Sequence, residues 1–116
     1  MVDLHEQWPP AQLTIDLHPE GDGAVRLAVA GEIDLSSVDL LERALATVDS
    51  AATTLIIDLA GVSFLDSSGV AALVGRSRHA AANGKRLIVI NAHGAALRAL
   101  DLTGVLAALS DEASAG

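Results

Sequence analysis

The chain has 116 residues, 51% of them hydrophobic, and a formal charge of -8 at pH 7 from seven basic and fifteen acidic side chains. That length supports one globular core and not two, and the acidic balance opposes the phosphate contacts on which direct DNA or RNA binding depends. With no cysteine, disulfides and thiolate metal sites are excluded. Trp8 and Phe64 are the only aromatic residues, so the core is expected to consist of small and branched side chains, with little stacking surface for a base or a flat cofactor.

Residues 1–10 read as a flexible leader ending at Pro9-Pro10. Acids, a His and two prolines stand where a signal peptide would need a basic start and an apolar run. No apolar stretch reaches membrane-spanning length, so a cytoplasmic protein with no membrane partner is expected. One domain is expected over 11–110 and a flexible small-residue tail over 111–116.

Gln12-Leu13-Thr14-Ile15-Asp16-Leu17 alternates polar and apolar as a half-buried strand does, and Val25-Arg26-Leu27-Ala28-Val29 alternates again. Between them Pro19-Glu20-Gly21-Asp22-Gly23 has turn composition, which predicts a hairpin whose second strand closes at Gly31. Asp34, Ser36 and Ser37 are all capping residues, and Val38, Leu41, Ala44, Leu45 and Val48 recur at helical spacing, predicting a helix over 36–48. Thr54-Leu55-Ile56-Ile57-Asp58-Leu59 is nearly continuous and β-branched, as in a central strand covered on both faces or closely flanked.

Asp66-Ser67-Ser68-Gly69 then opens a second helix, with Val70, Leu73, Val74, Ser77, Ala80 and Ala81 on one face and an end at Asn83-Gly84. A buried strand is predicted over 86–90, a short helix over 95–100, and a turn with a weak last strand over 103–109. Two strands followed by helix and strand in alternation make an α/β domain, with a mixed sheet of four or five strands, about three helices and a hairpin at one side.

A serine pair where a strand hands over to a helix sits beside the unpaired N–H groups of the first turn, so one hydroxyl can cap while the other faces out. Those N–H groups and the helix dipole also make the position tolerant of a phosphate, which would add roughly -1.5 to -2 charges next to Asp66. Taken alone, the tetrapeptide reads better as a helix cap, and its setting decides the matter.

Its setting resembles the STAS family, and anti-sigma factor antagonists in particular, at three places. These are Gly31-Glu32-Ile33-Asp34 before the first helix, the stretch from Leu55 to Gly75 that contains Val-Ser-Phe-Leu-Asp-Ser-Ser-Gly-Val, and Ala96 to Val105. Together with the strand order, the resemblance covers residues 12–109. It implies a STAS-like domain that is a switch protein and not an enzyme.

By the same resemblance Ser67 is the phosphoacceptor, with Ser68 as the alternative, and Glu32, Asp34, Asp66, Ser67, Ser68, Gly69 and Val70 face a partner. Asp66 would either orient Ser67 or cap the helix. The implied partners are an anti-sigma factor with a histidine-kinase-like ATPase fold, which is also the serine kinase, and a metal-dependent serine phosphatase of the PP2C type. No cofactor is implied. Two other roles share the fold: a STAS subunit of an ABC-type lipid transport complex, and a scaffold in stress signalling.

Other signals carry less. Glu32 and Asp34 have the spacing of paired carboxylates but read better as loop and cap residues. His5, His18, His79 and His93 have no metal-ligand spacing, so no metal is assigned. Gly21-Asp22-Gly23 lacks the third glycine of a dinucleotide loop, and no Gly-Lys-Ser/Thr loop occurs. Ser67 lacks the Gly-x-Ser-x-Gly elbow and a recognisable His, which argues against a hydrolase nucleophile. Arg76 and Arg78 read as solvated helix positions that could border a docking face.

Overall fold

A computed structural model describes residues 12–49 and 52–102 of the chain. In chain order the elements are β1 (Leu13–Gly21), β2 (Ala24–Ile33), α1 (Val38–Asp49), β3 (Thr54–Leu65), α2 (Ser67–Ala82), β4 (Arg86–Ile90) and α3 (Gly94–Leu102). The strands form one mixed sheet in the order β1-β2-β3-β4, with β1 antiparallel to β2 and the other two pairings parallel. This is the α/β architecture expected from the sequence. The leader, the tail and the last strand expected over 103–109 lie outside the described residues.

The hairpin is tighter than its composition suggested. Gly21, Asp22 and Gly23 all take positive φ, and β1 runs through Pro19 and Glu20 up to that turn. Pro19 is tolerated there because β1 is an edge strand, where a missing N–H can fall on the unpaired side.

The second strand does not close at Gly31; it continues to Ile33. Gly31 has φ +114, and a Cβ at this position would overlap the carbonyl oxygen of Gln12, so only glycine lets the two backbones meet. Opposite this stretch β3 carries two register shifts, one between Ala28 and Ala30 and one between Gly31 and Glu32. Such bulges bend a strand and re-aim its end. Here they carry β3 well beyond Leu59 and bring Leu65 level with Ile33.

Alternate residues of the sheet, including Leu27, Val29, Leu55, Ile57, Leu59, Leu87 and Val89, are buried in one cluster with Leu41 and Leu45 of α1, Val70 and Leu73 of α2, and Ala96 and Leu100 of α3. Full burial of a Leu, Ile or Val side chain is worth about 1.5–3 kcal/mol, so this aliphatic set is the principal stabilising term. β3 is flanked by β2 and β4, yet its second face, with Ile56 and Asp58, is only half-buried. On that face Asp58 holds Arg26 at 3.2 Å, Asn91 Nδ2 at 3.0 Å and the Ala60 N–H at 3.0 Å. The core contains no described aromatic: Phe64 is 42% exposed.

Candidate functional site

The site begins where β2 and β3 end side by side. The N–H of Asp66 donates to the Ile33 carbonyl at 3.0 Å, which fixes the start of α2 against the loop that leaves β2. Asp66 is the N-cap of α2, in extended backbone conformation, and its Oδ1 accepts from the Ser68 N–H at 2.9 Å, the Gly69 N–H at 3.1 Å and the Ser68 hydroxyl at 2.5 Å. The Ser68 hydroxyl first, then the N–H groups of Gly69, Ser68 and Leu35, hold the Asp66 carboxyl below its ordinary value against the loss of hydration that pushes it up.

The two serines therefore differ. Ser68 is half-buried and its hydroxyl is committed to Asp66, whereas Ser67, the first residue of α2, is exposed and its hydroxyl has no partner among the described residues. Two of the N–H groups that the sequence offered to a phosphate are already taken by Asp66. A phosphoryl group on Ser67 would accordingly stand outward, beside an ionised carboxylate.

Gly69 and Val70 lie beneath this surface. A Cβ on Gly69 would overlap Leu65 Cδ1 and lie 2.7 Å from Ile33 Cγ2, so the missing side chain is what allows α2 to seat on the strand ends. Val70 is 6% exposed and belongs to the core. These two residues shape the site from below, and their side chains are not presented outward.

The second half of the site is the turn between β2 and α1. Asp34 Oδ2 accepts from Gln12 Nε2 at 2.7 Å, and its Oδ1 accepts from the Ser36 N–H at 2.9 Å with the Ser36 hydroxyl 2.7 Å away. The N–H groups of Ser37 and Val38 both donate to the Asp34 carbonyl, and the buried Ser37 hydroxyl donates to the Glu32 carbonyl at 2.7 Å. The side-chain bond from Ser36, with those from Gln12 and the Ser36 and Ser37 N–H groups, keeps the Asp34 carboxyl below its ordinary value. Because Ser36 and Ser37 are used in this turn, α1 starts at Val38, two residues later than expected.

Glu32 is exposed on the last pair but one of β2 and faces Phe64 of β3 in the register. Glu32, Asp34, Asp66, Ser67 and Ser68 are thus brought to one end of the sheet. Sequence reasoning passed over three neighbours: Gln12, which clamps Asp34; Leu35, which is 80% exposed; and Phe64. The signal for Phe64 was available, since the only aromatic residue between Gln12 and Leu102 stands two positions before Asp66.

Arg76 is half-buried and, with Glu42, Ala71, Gly75 and His79, lines a groove between α1 and α2, while Arg78 is exposed. Among the described residues no group of three or more His, Asp or Glu could hold a metal, and no helix is long and apolar enough to cross a membrane. His93 is used structurally, with Nε2 2.8 Å from the Ala60 carbonyl.

A four-stranded mixed sheet with a capped helix starting at the strand ends places the chain among the α/β domains. The STAS domain family model matches residues 18–112, and the chain belongs to that family. Among solved structures it is similar to an anti-sigma factor antagonist from Mycobacterium paratuberculosis, with 30% identity and a TM-score of 0.74 over 84% of this chain and 82% of that one. It is also similar to the anti-sigma factor antagonist SpoIIAA in its unphosphorylated form, with 26% identity and a TM-score of 0.71 over 87% of this chain and 92% of that one. The phosphorylated form of the Bacillus cell fate determinant SpoIIAA matches at 26% identity and a TM-score of 0.67, over 87% of this chain and 96% of that one. No curated protein matches the chain by sequence.

Proposed function

We propose that the chain is an anti-sigma factor antagonist of the bacterial cytoplasm that binds an anti-sigma factor with serine kinase activity, frees a sigma factor, and is switched off by phosphorylation of Ser67. One observation carries this reading: an exposed, unpartnered hydroxyl on the first residue of α2, next to a serine whose own hydroxyl is committed to the Asp66 cap. Similarity to anti-sigma factor antagonists supports it, as does SpoIIAA being described in unphosphorylated and phosphorylated forms.

In the covalent step the Ser67 Oγ would bond to the γ-phosphorus of ATP held by the kinase, ADP would leave, and the hydroxyl proton would pass to a base. Asp66 is a poor candidate for that base, since its Oδ1 already accepts three hydrogen bonds and its carboxyl is held below the ordinary range. The base is therefore assigned to the kinase. The added charge then stands between Asp66 and the docked surface and weakens the complex by repulsion and desolvation. A PP2C-type phosphatase would remove it by hydrolysis and restore the binding form.

Affinity capture from the source organism with wild type and Ser67→Asp, read by mass spectrometry, tests this function. Retention of a histidine-kinase-like ATPase by wild type alone supports it. Retention of transporter subunits by both would point to the lipid-transport role, and retention of no ATPase by either would end the antagonist reading.

A further inference from the structure

We infer that Leu35 is the apolar anchor of the partner interface, and that the surface it fits is an apolar pocket on the kinase rimmed by Lys or Arg side chains. This rests on the antagonist reading and names which side chain supplies the affinity in it.

A lone exposed leucine is ordinary on a protein surface. Two properties set Leu35 apart from the other exposed leucines. It is 80% exposed, whereas Leu17, Leu40 and Leu97 lie between 37% and 48%. It also sits on a turn that is held at both ends: Asp34 accepts from Gln12 and from the Ser36 N–H, and the Asp34 carbonyl accepts from Ser37 and Val38. The Asp66 N–H donates to the Ile33 carbonyl at 3.0 Å, which ties the end of β2, two residues before Leu35, to the start of α2. Leu35 thus follows closely on the strand end that holds the Ser67 helix start, while its side chain, 80% exposed, adds little to the core of this domain.

Because the turn that carries it is already braced, binding through Leu35 orders little backbone, and an exposed leucine has few rotamers to lose, so the cost of docking it is small. Its surroundings specify the rim. Asp34 precedes it, and Glu32 and Asp66 lie at the same end of the sheet on a chain of formal charge -8, so a complementary partner offers positive charge around the pocket that receives the leucine. A phosphate on Ser67 would add further negative charge at this end of the sheet and so disturb the same docked surface.

The test uses each histidine-kinase-like anti-sigma factor of the source organism, purified and titrated calorimetrically with wild type, Leu35→Ala, Leu35→Met and Glu32→Gln. Leu35→Ala should weaken binding by about tenfold or more with no change in the thermal unfolding curve, and Leu35→Met should recover most of the loss. The loss from Leu35→Ala should persist at high salt, whereas that from Glu32→Gln should shrink as the rim charges are screened. Wild-type binding with Leu35→Ala unchanged overturns the anchor and leaves the antagonist reading intact. Failure of wild type to bind any of these kinases overturns both.

Discussion

The hydroxyl of Ser68 lies 2.5 Å from Asp66 Oδ1, and this contact divides the labour between two adjacent serines. Ser68 closes the helix cap, and Ser67 is left outward without a partner among the described residues. Ser68→Ala should therefore lower stability by about 0.5–1 kcal/mol, the usual net value of one hydrogen bond, while Ser67→Ala should leave it unchanged. Urea unfolding of the two variants measures the difference.

Asp66→Ala removes the acceptor for both N–H groups of the first turn and should cost about 1 kcal/mol, within the range measured for lost N-caps. The carboxyl also makes stability pH-dependent. Its folded pKa lies below the ordinary 3.8, so its contribution is complete above that value and is lost as pH falls through the folded value. Asp34 and Asp58 act in the same direction; in Asp58 the desolvation that raises the pKa is outweighed by bonds from Asn91, the Ala60 N–H and Arg26. Acid titration of wild type should show stability falling below about pH 4, and Asp66→Asn should show a smaller fall.

Gly69→Ala places a methyl group against Leu65 and Ile33 and should destabilise by about 1–3 kcal/mol through overpacking. The shift would also move the start of α2 relative to Ile33, so partner binding should weaken along with stability. Thermal unfolding and calorimetric titration of the variant check both effects.

Asp58→Ala separates stability from function. It removes the acceptor of Arg26 and Asn91 and should cost about 1–3 kcal/mol by leaving part-buried donors unpaired. Asp58 pairs with Ile90, seven residues before Leu65 on β3, and touches none of the groups around Ser67. Unfolding should shift while the affinity for the kinase stays at the wild-type value.

The elements with strong local signals were legible in the sequence. The 86–90 strand, the helix that begins after Asp66 and its end at Asn83-Gly84 follow from β-branched runs and cap residues, and the structure has them there. Glycine misled at Gly31, because the residue that looks like a strand terminator is kept for a close approach to Gln12 inside a continuing strand. The start of α1 was misplaced because Ser36 and Ser37 could cap a helix but are drawn into a turn around Asp34, a partner choice that spacing does not reveal. At the site, the acids and serines were readable as residue types. Leu35 was not, since its meaning comes from its exposure on a braced turn, and exposure depends on what the rest of the chain fails to cover.

Phosphosite mapping decides whether Ser67 is the switch residue. Wild type, Ser67→Ala and Ser68→Ala would each be incubated with the purified partner kinase and ATP, and the modified residue located by mass spectrometry. Phosphate is expected on Ser67 in wild type and in Ser68→Ala, and none in Ser67→Ala. Phosphate on Ser68, or a wild-type chain left unmodified by a kinase that binds it, would rule out Ser67 as the switch.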